Sequence, residues 1–268
     1  MGNVPAALVI GYGLGALLLG LLAGALVNTL ADRVVGVDEP IWSARQCRKC
    51  LQALPTPSPF APPDLFKRRK CESCGHPTSR RRPLVQLALA LLLPLALWRA
   101  YTPVATLDSP TSAAPGWAIF GLAAIALTAL AFIFVVDLEH RLIFDLSLFP
   151  PLIAIIAAVA LSDRTHLATV LIPAVVCGVI FLLFYGLGWL LYRQEALGFG
   201  DVKLALLIGA VVGWQGLTAT LMVTVVVAAI ISVLLLASGA ADRRTFIPFG
   251  VFMALAAALV PLFTGFPW

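Results

Sequence analysis

Long apolar runs separated by short polar breaks fill almost the whole chain. They fall at 6–27, 83–101, 116–136, 146–161, 167–192, 201–213, 216–237 and 246–266. An α-helix needs about 20 apolar residues to cross a hydrocarbon core, so the pattern predicts an all-α polytopic membrane protein with about eight transmembrane helices. The 201–213 run is short for a full crossing, with Trp214-Gln215-Gly216 expected as the turn beyond it. In the first run, Gly20-x-x-x-Gly24 permits close helix packing. Gly11-x-Gly13-x-Gly15 has the spacing of a nucleotide loop, but no strand precedes it and no amphipathic helix follows, so helix packing is the expected use.

Composition agrees with the pattern. The 268 residues are 61% hydrophobic and 12% charged, with mean hydropathy +1.00, outside the range of a soluble globular domain. The net charge of +5 suggests nucleic acid only until its distribution is considered: eleven of the 18 Lys and Arg lie between Arg33 and Arg82. That clustering predicts a cytoplasmic segment by the positive-inside rule and no nucleic-acid partner. No basic residue precedes the first run, so a permanent first span with its N-terminus outside is expected rather than a cleaved signal. Three regions follow: 1–33, the first helix and its exit; 34–83, a cytoplasmic loop domain; and 84–268, the remaining membrane core.

The loop domain carries Cys47-x-x-Cys50 and Cys71-x-x-Cys74. Two such knuckles at this separation predict a closed, four-cysteine zinc site of structural role, each knuckle giving two thiolates from a tight turn. A pair of disulfides is the alternative, disfavoured by a reducing cytosol. Zinc would order a segment rich in proline. Cys177, within an apolar run, is expected to be a small core residue.

Two acids stand where apolar runs meet polar connectors. Asp137 follows the 116–136 run, and Asp201 sits in Gly198-Phe199-Gly200-Asp201-Val202-Lys203. An acid beside a hydrocarbon core is costly and by default functional, and the glycines admit close approach of another chain. The alternative for Asp201 is that it only caps the helix that follows. Two crossings lie between the acids, which returns the chain to the face it left and predicts that both sit at the cytoplasmic side. Asp145 either lines the site or caps a helix. Lys203 anchors the helix at the interface, and Glu139 and His140 are expected as solvated turn residues.

These residues together resemble the bacterial type IV prepilin peptidases, bifunctional leader peptidases and N-methyltransferases of the GxGD aspartic intramembrane class. The resemblance runs nearly end to end, through Gly24-Ala25-Leu26-Val27-Asn28 with Arg33, the cysteine knuckles, Arg82-Pro83-Leu84-Val85, Asp137-Leu138-Glu139-His140 to Asp145, and Gly198 to Lys203. It implies catalysis by Asp137 and Asp201, supported by Gly198, Gly200, Lys203 and Asp145. The implied reaction is cleavage of a basic leader from prepilins or pseudopilins at a Gly-Phe junction. Methylation of the new N-terminus from S-adenosylmethionine would follow, in the inner membrane. Phe144 stands where the family pattern has Pro, and Gln86 where it has Glu. The second departure lies in the region tied to methyl transfer, which leaves open a peptidase without it.

Two close carboxylates share a proton, one acting as base on water and the other as acid, and titrate as a unit. Two other classes fit parts of the pattern. A cation-coupled transporter would use the acid pair as a relay but place it nearer the bilayer midplane, often within inverted repeats. A non-enzymatic assembly module would use the cysteine loop alone.

Overall fold

A computed structural model describes residues 6–34, 50, 71, 73–75, 81–101, 115–162, 166–193, 197–239 and 248–268. These residues form seven α-helices and no strand: α1 (Ala6–Val34), α2 (Arg81–Tyr101), α3 (Gly116–His140), α4 (Asp145–Ser162), α5 (Leu167–Tyr192), α6 (Phe199–Ala237) and α7 (Phe249–Thr264). The first six are long and apolar enough to cross a membrane, and α7 is a shorter apolar helix. Lipid is the solvent such surfaces require: Leu146, Leu161, Leu183 and Phe263 are more than half exposed, an arrangement that water would penalise.

Two of the eight expected spans lie within α6. The runs 201–213 and 216–237 belong to one 39-residue element interrupted at Gly213, whose backbone (φ 61, ψ −173) is not helical. A left-handed φ is cheap only for glycine, and a side chain at 213 would collide with Pro267. The break therefore separates two helical segments next to where the sequence pattern placed a turn. A correction concerns Asp137. It lies inside α3, not beyond it, because Leu138 and Glu139 extend the helix until Arg141 turns left-handed (φ 56) and its N–H returns to the Asp137 carbonyl at 2.9 Å.

The chain divides into two units, Met1–Leu97 and Trp98–Trp268. In the first, a Cβ at Gly24 would lie 2.6 Å from Gln86 Cα, and one at Gly20 would strike the main chain of Leu89 and Ala90. This is the close approach that small residues allow. Among the described residues, Gly11, Gly13 and Gly15 meet nothing within 4 Å. Asn28 Nδ2 donates to the carbonyls of Gly24 (2.8 Å) and Arg82 (3.0 Å), and Asp32 pairs with Arg81 and Arg82.

In the second unit, α6 packs against α4, α5 and α7, and α3 against α4 and α7. The buried stripe of α3 runs Ala126, Leu130, Ile133, Asp137, at helical spacing, and that of α6 runs Asp201, Leu204, Ala205, Ile208. Each acid thus continues the apolar face by which its helix packs. Cys177 is fully buried, as expected.

Candidate active site

Asp137 ends the buried stripe of α3, Asp201 begins that of α6, and both helices lean on α7. The meeting point is Gly250, at the start of α7. A Cβ on Gly250 would lie 2.7 Å from Asp137 Oδ2 and 3.0 Å from Asp201 Oδ1. The two carboxylate oxygens are therefore separated by no more than the sum of those lengths. That is about two hydrogen bonds end to end, a span one water molecule bridges. Both side chains are largely removed from solvent, at 5% and 8% exposure.

Local sequence explains each position. Gly198 is the N-cap of α6, in extended conformation, so Asp201 is the third residue of the helix and not its cap. Its N–H donates to the Gly198 carbonyl at 3.0 Å, and its carboxyl group folds back toward the Gly198 N–H. An acid in a first turn also meets the positive end of the helix dipole. Gly200 serves a different purpose. A Cβ there would sit 3.0 Å from Ile143 Cβ, so the bare backbone lets α6 close on the Arg141–Phe144 connection. At α7, Pro248 gives no side-chain cap, and the main-chain N–H of Val251 is directed at the Asp137 carboxyl instead. One oxygen of Asp137 thereby fills the role a capping side chain would have. Its other oxygen, Oδ2, is buried without a hydrogen-bond partner among the described residues. Buried polar atoms left unpaired are uncommon and concentrate where chemistry is done.

The supporting residues sort by distance from this pair. Lys203 Nζ is 2.7 Å from Asp145 Oδ1 and 5.3 Å from the centre of the Phe199 ring, joining the first turn of α6 to the first turn of α4. Asp145 is well exposed there, so the pair is worth at most about 1 kcal/mol. Glu139 and His140 are half-buried on α3 with Oε2 and Nε2 3.6 Å apart, not freely solvated as expected. Sequence reasoning did not single out Gly250 or Ile143. The available signal was Pro248-Phe249-Gly250, a proline and a glycine opening an apolar run.

Among the cysteines, Cys47 lies outside the described residues. The Sγ atoms of Cys50, Cys71 and Cys74 all lie within 4.8 Å of one another, those of Cys50 and Cys71 at 3.7 Å. Tetrahedral zinc with Zn–S bonds of about 2.3 Å places its sulfurs about 3.8 Å apart, so these three thiols suit such an ion. Main-chain N–H groups of Cys74 and then Ser73 hold the Cys71 thiol below its ordinary pKa, favouring the thiolate that binds metal. The Gly75 N–H closes the knuckle on the Cys71 carbonyl at 2.8 Å. Elemental analysis of the purified full chain is expected to find about one zinc per molecule, and Cys71→Ser to remove it. Zinc retained in full by that variant would show that the cluster is not the site.

Residues 124–237 match the type IV leader peptidase family. Over 238 residues the chain is 31% identical to the prepilin leader peptidase/N-methyltransferase of Aeromonas hydrophila, covering 82% of this chain and 73% of that one. The protein of the same name from Pseudomonas aeruginosa is 28% identical over 265 residues, covering 90% and 86%, and that from Stutzerimonas stutzeri is 28% identical over 267 residues, covering 90% and 87%. No solved structure matches. The matched segment contains both acids, the whole of α6 and all but the start of α3, and with an extended relative of this identity it places the chain in the type IV leader peptidase family.

Proposed function

We propose that this chain is a membrane-embedded aspartic endopeptidase whose catalytic pair is Asp137 and Asp201. Its substrates are type IV prepilins or pseudopilins, cut at the Gly-Phe junction between a basic leader and the pilin's apolar helix. The reading rests above all on the convergence of two buried carboxylates, from helices far apart in sequence, over Gly250. One carboxylate takes a proton from water, which attacks the scissile carbonyl carbon. The other donates a proton to the carbonyl oxygen and, as the C–N bond breaks, a proton passes to the leaving amine. Burial of both acids keeps bulk water from competing.

The basic residues of 34–83 set that segment, and with it the acid pair, on the cytoplasmic face of the inner membrane, where a basic leader remains. Gly198 and Gly200 shape the first turn of α6, and the Lys203–Asp145 pair steadies it. A zinc site of four thiolates, completed by Cys47, orders the loop domain. Methyl transfer to the new N-terminus, with S-adenosylmethionine as donor, rests on the name the relatives share and on the resemblance. Among the described residues, Asp32 is engaged by Arg81 and Arg82 and Gln86 is buried against Gly24.

The test is to incubate the purified protein with a prepilin bearing a Gly-Phe junction, with and without S-adenosylmethionine, and to weigh the products. Leader loss in both samples is expected, and one added methyl group only with the donor. An intact prepilin in both would end the peptidase reading; a cleaved but unmethylated product would reduce the chain to a peptidase alone.

A further inference from the structure

Gly250 breaks a rule of helix composition without a conformational reason. A glycine in a helix is disfavoured relative to alanine, and its usual compensation is a left-handed φ. The glycines with positive φ among the described residues are Gly75, Gly213, Gly239 and Gly265, not Gly250. What distinguishes Gly250 is its surroundings. The space where a side chain would begin is bounded by Asp137 Oδ2 at 2.7 Å, Asp201 Oδ1 at 3.0 Å and Ile143 Cδ1 at 3.1 Å. Real Cβ atoms do not approach oxygen at the first of these distances, so any larger residue must push a carboxylate away.

We propose that Gly250 is a positioning residue of the catalytic centre, its missing side chain setting the distance at which the two carboxylates face each other. This rests on the peptidase reading and names a part of the site that neither acid motif contains. Three observations converge on it. Each acid lies on the buried stripe of its own helix, and α7 is the element against which both helices pack. The Val251 N–H, next in sequence, is directed at the Asp137 carboxyl, so the same turn that makes room also fixes one partner's orientation. Finally, Asp137 Oδ2, the atom nearest Gly250, is buried and unpartnered among the described residues. It is thus free to face substrate and water. Ile143 ties this arrangement to the glycine motif of α6, since it touches the spaces left by both Gly200 and Gly250.

The experiment compares the full-length wild type with Gly250→Ala and with Gly250→Ala/Ile143→Ala, in detergent, on a prepilin peptide with a Gly-Phe junction. A displacement of a reacting group by roughly 1 Å costs about 100-fold in rate. Gly250→Ala is therefore expected to lose about 100-fold in kcat per folded molecule, with KM for the peptide and the thermal midpoint unchanged. The double variant is expected to stay equally slow, because removing Ile143 bulk relieves only the third contact. Wild-type kcat in Gly250→Ala overturns the proposal. So does recovery in the double variant, which would trace the loss to crowding against Ile143, or a loss explained wholly by a smaller folded fraction. If Asp137→Asn and Asp201→Asn still cleave, the assignment of the catalytic pair fails and this proposal with it; if they do not while Gly250→Ala is unimpaired, only this proposal does.

Discussion

Replacing either Asp137 or Asp201 with Asn is expected to lower the rate of prepilin cleavage by about 10⁴-fold or more. Asn keeps the shape of Asp, so α3 and α6 still close on α7 and the folded protein still binds its substrate. What is lost is the ability to pass a proton. General acid and general base assistance each give about 10²- to 10⁴-fold, and a pair that works by shared proton transfer loses both when either member is removed. The distinctive expectation is therefore non-additivity: the two single variants and the double variant should fall to the same residual rate. Steady-state kinetics on the three variants, at matched folded concentration, checks it. If each single variant lost only part of the rate and the double lost the product of the two, the acids would act separately, and the shared-proton mechanism would be wrong.

The second large effect is on stability, where α5 crosses α6. A Cβ at Gly209 would lie 2.5 Å from Ala174 Cα and closer still to the Pro173 carbonyl oxygen. Main chain stands on both sides, so no rotamer change relieves the clash. Gly209→Val must separate the helices that form the most extensive packing in the unit, and a cost of about 3 kcal/mol or more is expected. The control is Gly186→Val on α5, where a Cβ meets nothing within 4 Å. That variant should unfold at the wild-type temperature or above it, while Gly209→Val unfolds well below. Equal midpoints would mean that α5 and α6 do not approach as described.

Much of this was legible along the chain, and the exceptions share a cause. Polarity alone marked Asp137 and Asp201, because an acid is conspicuous at the edge of an apolar run. Counting crossings put them at one end of the bundle, and the structure brings them together over Gly250. The glycines of the first run were read by spacing, and spacing was right for Gly20 and Gly24 but not for Gly11, Gly13 and Gly15, which meet no neighbour among the described residues. Whether a glycine faces another helix depends on which side of its own helix it occupies, and a run apolar all round hides that. Gly250 escaped notice for the same reason. Its importance lies wholly in what two other helices bring to it. The extent of α3 past Asp137 was misjudged because a polar residue ends an apolar run without ending a helix; the left-handed turn at Arg141 does that.

The break at Gly213 has a consequence for the lipid. From Phe199 to the break, the first segment of α6 extends about 21 Å at a rise of ~1.5 Å per residue, and the 16 residues of α7 about 24 Å. A bilayer's oily interior is about 30 Å thick. Elements this short are expected to draw the two leaflets toward each other, and the acid pair lies at one end of both, with Asp201 in the first turn of α6 and Gly250, which both acids face, in that of α7. The protein is therefore expected to sit in a dimple of its own making. A bond adjoining a pilin's greasy stem can enter that dimple and meet water without the stem being hauled out of the membrane.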